Sequence, residues 1–155
     1  MYFKALAPAV ALLMGTPAIA QPIIGDCESS LVGKLLPEVS PDGFVSFADG
    51  AVRIADLYVD GNLASNVVIV VLHPRQSDLA GAGYYQACTV VYSGRTLSPY
   101  FGRVLLRDLI ADYDADSGLK ITIPVEYYFT DRDVENGKLT LIVHQKDGYV
   151  DAEER

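Results

Sequence analysis

The 155-residue sequence has no tryptophan, two histidines and two cysteines. This supply argues against a zinc site, which draws most of its ligands from cysteine and histidine. His73 and His144 are the general bases on offer, and neither stands in a local motif for a catalytic serine or cysteine. The chain also lacks a phosphate-binding glycine loop and a dinucleotide fingerprint. The sequence therefore predicts no catalytic residues, and no cofactor other than the calcium ion considered below.

Basic residues are in the minority, because 12 Lys and Arg stand against 20 Asp and Glu and give a net charge of −8 at pH 7. A surface of this charge repels nucleic acid and anionic lipid. We expect no nucleic-acid partner. A protein or another component of the cell envelope is the expected partner.

Long apolar stretches are confined to the first 20 residues. Lys4 supplies a positive start, Ala5–Met14 an apolar segment, and Ala18-Ile19-Ala20 a small-residue cleavage pattern. This order predicts a secretory signal peptide cleaved after Ala20, and an uncleaved anchor is the alternative. We therefore expect a secreted or periplasmic protein with no membrane span once the signal peptide is removed.

The two cysteines of an exported chain are most simply paired, and Cys27 with Cys88 is the one pairing available. Two free thiols are the alternative. On the chain-entropy view, closing a loop of this size removes about 4 kcal/mol of denatured-state entropy. The sequence thus predicts a disulfide that stabilises the fold.

The segment Asn66–Leu72 contains six consecutive apolar residues, most of them β-branched, before His73 and Pro74. Such a run is too short for a membrane span and predicts a strand buried on both faces. A second strand, Leu119–Phe129, alternates apolar and polar residues, which indicates one wet face. Pro124 within it predicts an edge strand or a bulge.

A further strand is predicted over Lys138–Gln145, with Leu139, Leu141 and Val143 on its apolar face. A two-residue Asn136-Gly137 turn would set the apolar faces of the two strands against each other. A three-residue loop, Glu135-Asn136-Gly137, restores the register and places Phe129 opposite Val143. We therefore predict the three-residue loop.

Residues 50–73 resemble residues 102–125, with seven identities over 24 positions. Each copy then reads as a strand, an aspartate-containing turn and a second strand, with the first turn at Asp60-Gly61-Asn62. The segment Arg103–Ala111 could also form a helix after Ser98-Pro99. By analogy with the first copy, we predict a strand.

These patterns predict an all-β fold: an antiparallel β-sandwich or small barrel of about six to seven strands, with room for two tandem three-stranded meanders. A short helix over Asp26–Leu36 is predicted at the amino-terminal end. The expected organisation is a signal peptide at 1–20 and a single domain at 21–155, made of a helix and connector (21–49), a first β unit (50–94), a second β unit (102–146) and a frayed acidic tail (147–155).

One turn has ligand-like spacing, since Asp112, Asp114 and Asp116 alternate along the chain. Alternate aspartates can converge on Ca²⁺, as at the start of an EF-hand loop, but the later positions of that motif do not match. A solvated hairpin turn is the alternative.

Asp56 and Asp108 fall on predicted apolar faces, where either a bulge turns the chain or two carboxylates point inward.

Tyrosine pairs occur at Tyr84-Tyr85 and Tyr127-Tyr128, and one ring of each pair should be buried and the other exposed because neighbours on a strand face opposite ways. Exposed tyrosines are good recognition anchors. The sequence as a whole therefore predicts an exported, non-enzymatic binding or structural β domain of the cell envelope or periplasm. The alternatives are a calcium-stabilised extracellular adhesion-type module and a small secreted hydrolase. A pocket holding a histidine beside a carboxylate and a hydroxyl would favour the hydrolase.

Overall fold

The computed structural model describes residues 20–28, 43–59, 66–80, 82–96, 98–129 and 133–155. The predicted signal peptide, most of the predicted amino-terminal helix and the predicted Asp60-Gly61-Asn62 turn lie outside the described residues, apart from Ala20. No helix in these ranges is long and apolar enough to span a membrane. The strands are β1 (Ile23–Asp26), β2 (Val45–Phe47), β3 (Val52–Tyr58), β4 (Val67–Gln76), β5 (Tyr84–Tyr92), β6 (Arg103–Val104), β7 (Ile110–Asp114), β8 (Gly118–Tyr128), β9 (Val134–His144) and β10 (Tyr149–Glu154).

The strands form two antiparallel sheets that pack face to face. The first sheet has the order β1-β5-β4-β3-β2, and the second has the order β10-β9-β8-β6 with β7 also paired to β8. Strands β2 to β5 and strands β7 to β10 are therefore two successive meanders of neighbours along the chain, and β6 pairs with β8 on the same side as β7. The all-β sandwich prediction is confirmed, with ten strands in place of six to seven.

Strand β4 is the central strand of the first sheet. Every residue from Val67 to Val71 is 0% exposed. Val67, Ile69 and Val71 join the core between the sheets, whereas Val68 and Val70 belong to a second apolar cluster on the other face. The prediction of a strand buried on both faces is confirmed, because each face is covered by its own set of apolar side chains.

A disulfide joins Cys27 to Cys88, whose Cα atoms are 5.5 Å apart. The bridge belongs to the cluster on the outer face of the first sheet and lies at the end of β1. The disulfide prediction is confirmed. Asp26 does not begin a helix, because it pairs with Thr89 as the last residue of β1.

Strand β8 buries Leu119, Ile121, Ile123, Val125 and Tyr127 against the first sheet, as its alternation predicts. The edge position predicted from the proline is wrong, since β8 lies between β9 and the pair β6 and β7.

The proline is tolerated at this interior position because its neighbour is interrupted. Leu105 donates its N–H to the Pro124 carbonyl at the point where β6 ends, before the 3₁₀ turn Leu106–Asp108. The N–H that proline lacks therefore falls beside a break in the adjacent strand.

The predicted loop Glu135-Asn136-Gly137 is wrong, because these residues lie inside β9. The hairpin pairs Tyr128 with Val134, and Phe129 donates its N–H to the Asp133 carbonyl. Ile123 therefore faces Leu139, which sets the apolar faces of both strands toward the core.

Gly137 is needed for packing and not for a turn. A Cβ atom there would lie 2.5 Å from Cε2 of Tyr127, so the glycine makes room for the buried ring. A glycine opposite a large aromatic ring and a glycine in a hairpin loop look alike in the sequence.

The segment Arg103–Ala111 is not an α-helix. It contains β6, the 3₁₀ turn Leu106–Asp108 and the start of β7. Val104 pairs with Val125 in the second copy. The corresponding residues of the first copy are Val52 and His73, and a pair between them would continue the register of the β3–β4 ladder. The two copies thus share their pairing at β6, and the 3₁₀ turn then displaces β7 along β8.

The acidic tail is also ordered differently from the prediction, because Tyr149–Glu154 forms β10 beside β9. Val150 is buried and Ala152 packs against the core, so the tail has the alternation of a strand. Pairing continues to Arg155, which exchanges two backbone hydrogen bonds with Lys138 at 2.7 and 2.9 Å.

The turn between β9 and β10 packs directly on the first sheet. Gly148 in this turn has a φ of +72°, and a Cβ there would lie 2.9 Å from both Cα and Cγ of Arg75. The left-handed backbone and the close approach both require glycine. This contact fixes where the second sheet ends over the first.

We predict that Gly148→Ala lowers the free energy of unfolding by about 1 kcal/mol for the left-handed backbone and by about 1 to 3 kcal/mol more for the contact with Arg75. Gly83→Ala is the matched control, because Gly83 has a φ of +71° and nothing within 4 Å of an added Cβ. Urea unfolding of both variants measures the difference. Equal losses in the two variants would show that the turn does not press on Arg75.

Candidate functional site

A cleft of about 540 Å³ opens at the end of the sandwich where the β9–β10 turn meets the first sheet. Its floor is formed by β1, β4 and β5, and its wall by residues 147–150. The packing of Gly148 on Arg75 sets the distance between floor and wall at this point. The cleft is therefore built by the same contact that ends the second sheet.

The floor continues the inner face of the first sheet, but its chemistry changes. Val71 pairs with Thr89, and the next inner-facing residues are His73 and then Arg75. On β5 the inner face continues from Thr89 to Tyr85, which pairs with Arg75. An apolar face thus becomes a polar one within a few residues of leaving the core.

His73 is 2% exposed and forms the innermost polar contact of the cleft. Its Nε2 lies 2.9 Å from Oγ1 of Thr89, and its Nδ1 lies 3.4 Å from the Pro74 carbonyl oxygen. Burial lowers the pKa of His73, and the charge of Arg75 lowers it further, although the Pro74 carbonyl opposes both. A neutral ring fits both contacts, with Nδ1–H donating to the carbonyl and Nε2 accepting from the hydroxyl.

Among the described residues, the rim of the cleft carries more negative than positive charge. Asp26, Glu28 and Asp147 line it together with Arg75. The Asp26 carboxylate also accepts a hydrogen bond from the Glu28 N–H at 2.7 Å, which orients the chain after β1.

Two tyrosine rings stand at the opening. Tyr85 is 50% exposed on the floor, and Tyr149 is 46% exposed on the wall. Tyr84 is exposed as well, so the prediction of one buried ring in each tyrosine pair is wrong for Tyr84-Tyr85 and is confirmed for Tyr127-Tyr128, where Tyr127 is buried. Tyr149 is held in place by stacking on His144, with ring centroids 4.1 Å apart. The cleft therefore offers aromatic faces, a hydroxyl, a neutral imidazole and carboxylates, which together suit a small polar molecule.

The other histidine is outside the cleft. His144 lies on the outer face of the second sheet, and its Nε2 is 3.2 Å from Oδ2 of Asp151. Its effect on the cleft passes through Tyr149, whose ring it supports.

A second polar cluster lies at the end of β10. Glu154 is 1% exposed and accepts the Gly94 N–H at 3.3 Å with each carboxylate oxygen. Burial raises the pKa of Glu154.

Burial and the nearby charge of Glu154 raise the pKa of Tyr127 to about 12. The Tyr127 hydroxyl has no hydrogen-bond partner among the residues described, and the Arg95 guanidinium lies over its ring face, 4.7 Å from the centroid. This enclosed cluster ties β10 to the chain that follows β5.

The predicted calcium ligands Asp112, Asp114 and Asp116 lie at the β7–β8 hairpin. One oxygen of Asp114 accepts hydrogen bonds from the Asp116 N–H at 3.0 Å and from the Ser117 N–H and hydroxyl at 2.8 and 2.9 Å. These bonds lower the pKa of Asp114 and shape the turn. Within the described ranges, no group of three or more His, Cys, Asp or Glu side chains is arranged to hold a metal ion. Calcium binding stays a prediction.

The bulge predicted at Asp56 is wrong. Asp56 pairs with Ile69 in an unbroken ladder and shares a face with Ile54, and burial raises the pKa of its carboxyl. Asp108 instead lies in the 3₁₀ turn with a side chain 56% exposed. The two positions are therefore equivalent in sequence but not in structure.

Comparison of the chain with protein-family models, with curated proteins and with solved structures finds no match. The function is therefore argued from the geometry of the cleft.

The sequence missed most of the cleft residues. Side chains alternate along a strand, so His73 falls on the same face as Val67, Ile69 and Val71. The sequence therefore places it on the inner face once β4 is extended through Pro74. Thr89 has the same relation to Val91. Asp147 and Tyr149 carry no such signal, because only tertiary packing brings the β9–β10 turn to the first sheet.

We predict that His73 makes the protein less stable as the pH falls through about 6.5. The pKa of His73 is lower in the folded protein than in the unfolded chain. Below about pH 6.5 the unfolded chain therefore binds a proton more readily than the folded protein does, which favours unfolding. The slope reaches at most about 1.4 kcal/mol per pH unit. Urea unfolding between about pH 5 and about pH 7 measures it.

His73→Gln should remove this slope, while His144→Gln, which replaces the other histidine, should retain it. Asp56 and Glu154, whose pKa values are raised, act in the opposite direction and are common to all three proteins. An unchanged slope in His73→Gln would show that the buried imidazole is not the titrating group.

Proposed function

We propose that this chain is an exported binding domain that holds a small polar ligand in the cleft between β5 and the β9–β10 turn. The observation that carries the proposal is a cleft of about 540 Å³ with a polar floor, at the end of the sheet face that carries the apolar core. Pockets for small molecules commonly measure about 300 to 1,000 Å³. The size and the chemistry of the cleft fit such a ligand.

The polar groups of the floor would orient the ligand. The Thr89 hydroxyl donates its proton to His73, so its oxygen offers a ligand donor an acceptor in a set position. Tyr85 and Tyr149 both line the cleft, and a flat or aliphatic part of the ligand can stack on their exposed surface. The binding energy would come from the rings and the specificity from the Thr89 hydroxyl, which His73 holds in place.

Charge narrows the class of ligand. The rim holds three carboxylates, on Asp26, Glu28 and Asp147, against the guanidinium of Arg75. An anion entering the cleft meets net repulsion, whereas a cation or a neutral hydroxyl-bearing molecule does not. We infer that the ligand is cationic or uncharged.

Export is part of the proposal. A disulfide between Cys27 and Cys88 supports an oxidising compartment, where such bonds persist. The first 20 residues support the same location through their charge, apolar segment and cleavage pattern.

A ligand-observed NMR screen of cationic, neutral and anionic fragments tests the binding function. We predict hits among cations and neutral compounds that Tyr85→Ala weakens about tenfold, because the ring supplies contact area. Tyr84→Ala is the matched control, since Tyr84 is 62% exposed on the opposite face of the same strand. An absence of hits, or hits that both variants weaken equally, would contradict binding in the cleft.

A small hydrolase is the second candidate, favoured by the 2.9 Å contact between His73 and Thr89, which resembles a base beside a nucleophile. The Nδ1 of His73 faces a carbonyl and not a carboxylate, and the ring is nearly inaccessible, so binding is preferred. Hydrolysis of a p-nitrophenyl ester separates the two candidates. If the protein hydrolyses the ester, and Thr89→Val and His73→Gln each reduce the rate by about 100-fold, the hydrolase is established. If the ester is hydrolysed no faster with the protein than in buffer alone, esterase activity is excluded.

A further inference from the structure

Among the described residues, strand β7 has no partner strand on the side of the second sheet opposite to β10. Its one pairing partner in the described part of the chain is β8. The Tyr113 N–H donates to Oδ1 of the neighbouring Asp112 at 3.0 Å, and an added strand would take the place of that contact. All five residues from Ile110 to Asp114 are exposed, including the large apolar side chains of Ile110 (71%) and Tyr113 (65%). An edge strand with exposed backbone groups and apolar side chains is a template for another strand.

The other edges are less open to an added strand. Strand β2 has three residues and β1 has four, and β1 ends at the disulfide. Strand β10 carries Asp151 and Glu153 as exposed or half-buried charges, and Arg155 at its end pairs with Glu153. Charged and short edges are the usual protection against strand addition. Strand β7 also carries two carboxylates, on Asp112 and Asp114, but it combines five paired residues with the exposed side chains of Ile110 and Tyr113 and has no disulfide at its end.

The side chains of β7 define what could pair with it. Ile110 and Asp112 lie on the outer face, opposite Thr122 and Lys120, and Asp114 follows on the same face. Ala111 and Tyr113 lie on the other face, opposite Ile121 and Leu119. A strand added beside β7 would thus meet carboxylates on one face and an aromatic and a methyl group on the other.

We propose that β7 is a docking edge for an extended basic segment of a partner protein, which adds as a further strand of the second sheet. Backbone hydrogen bonds would provide affinity along this edge, and alternate side chains would provide specificity. Lysine or arginine opposite Asp112 and Asp114, and apolar residues opposite Ala111 and Tyr113, would form favourable cross-strand pairs.

A second copy of the chain fits this edge poorly. Two-fold antiparallel pairing centred on β7 places Asp112 opposite Asp112, with both Asp114 side chains nearby, and like charges directly opposite are destabilising. Each copy also carries a net charge of −8. A basic partner removes both sources of repulsion. This edge is separate from the cleft, so its test does not depend on the proposed ligand.

The test uses a six-residue peptide in which lysine alternates with valine and tyrosine, added to the ¹⁵N-labelled protein in buffer with EDTA. We expect amide shift changes confined to β7 and its neighbours on β8. The same peptide with glutamate in place of lysine should bind about tenfold or more weakly, because its charges oppose Asp112 and Asp114. Absence of binding, or shifts centred on another edge, would overturn the proposal.

Backbone pairing is tested without altering the protein. Alternate amides of an added strand face β7, so N-methylation of every second residue in one phase should abolish binding, and methylation in the other phase should leave it. Equal binding of both methylated peptides would overturn strand addition.

Charge is tested by Asp112→Asn, which should weaken the lysine peptide about three- to fivefold. Asp151→Asn on β10 is the matched control and should leave the affinity unchanged. Equal effects of the two substitutions would overturn the assignment of charge recognition to β7. Self-association of the unliganded protein through β7, seen by light scattering, would name a second copy as the occupant and overturn the basic partner.

Discussion

The structure depends on the burial of one strand from both sides. Val67 to Val71 have no exposed surface, so β4 needs a covering layer on each face. One layer is the second sheet, through the core that holds Val67, Ile69 and Val71. On the other face, Val68 and Val70 pack beside Leu57 and Val90 of the neighbouring strands in a cluster that also contains the buried Cys27 of the disulfide. Burial of a valine or isoleucine side chain contributes about 1.5 to 3 kcal/mol relative to exposure, so this strand alone supplies a large share of the driving force.

The candidate site arises where that constraint ends. Beyond Val71 the inner face of β4 carries His73 and Arg75, and the second sheet stops at the turn held by Gly148. A polar floor next to the end of an apolar core is what forms the cleft. Burial lowers the pKa of His73, and its ring fixes the Thr89 hydroxyl in place. The proposed binding would therefore use groups that the fold has already positioned, at little cost in conformational entropy.

Local patterns predicted the parts of this protein whose structure is set by local chemistry. Residue type and spacing predicted three features: the burial of β4 on both faces, the alternation of buried and exposed residues in β8, and the pairing of Cys27 with Cys88. The β8–β9 register did not, because Gly137 serves the ring of Tyr127 across the hairpin and not a turn. The cleft escaped prediction for the same reason. Its wall is brought to its floor by packing between segments about 70 residues apart, as at Gly148 and Arg75, and periodicity reports only the face on which a residue lies.

Amide hydrogen exchange across the chain tests the central claim most directly, because the slowest amides report global unfolding and identify the most protected element. If β4 is enclosed on both faces, the amides of Val67–Val71 exchange only through global unfolding and are the slowest in the protein, with those of β7 and of the β9–β10 turn among the fastest. Faster exchange in β4 than in β8 and β9 would contradict the account, since it would mean that one face of β4 is open to water.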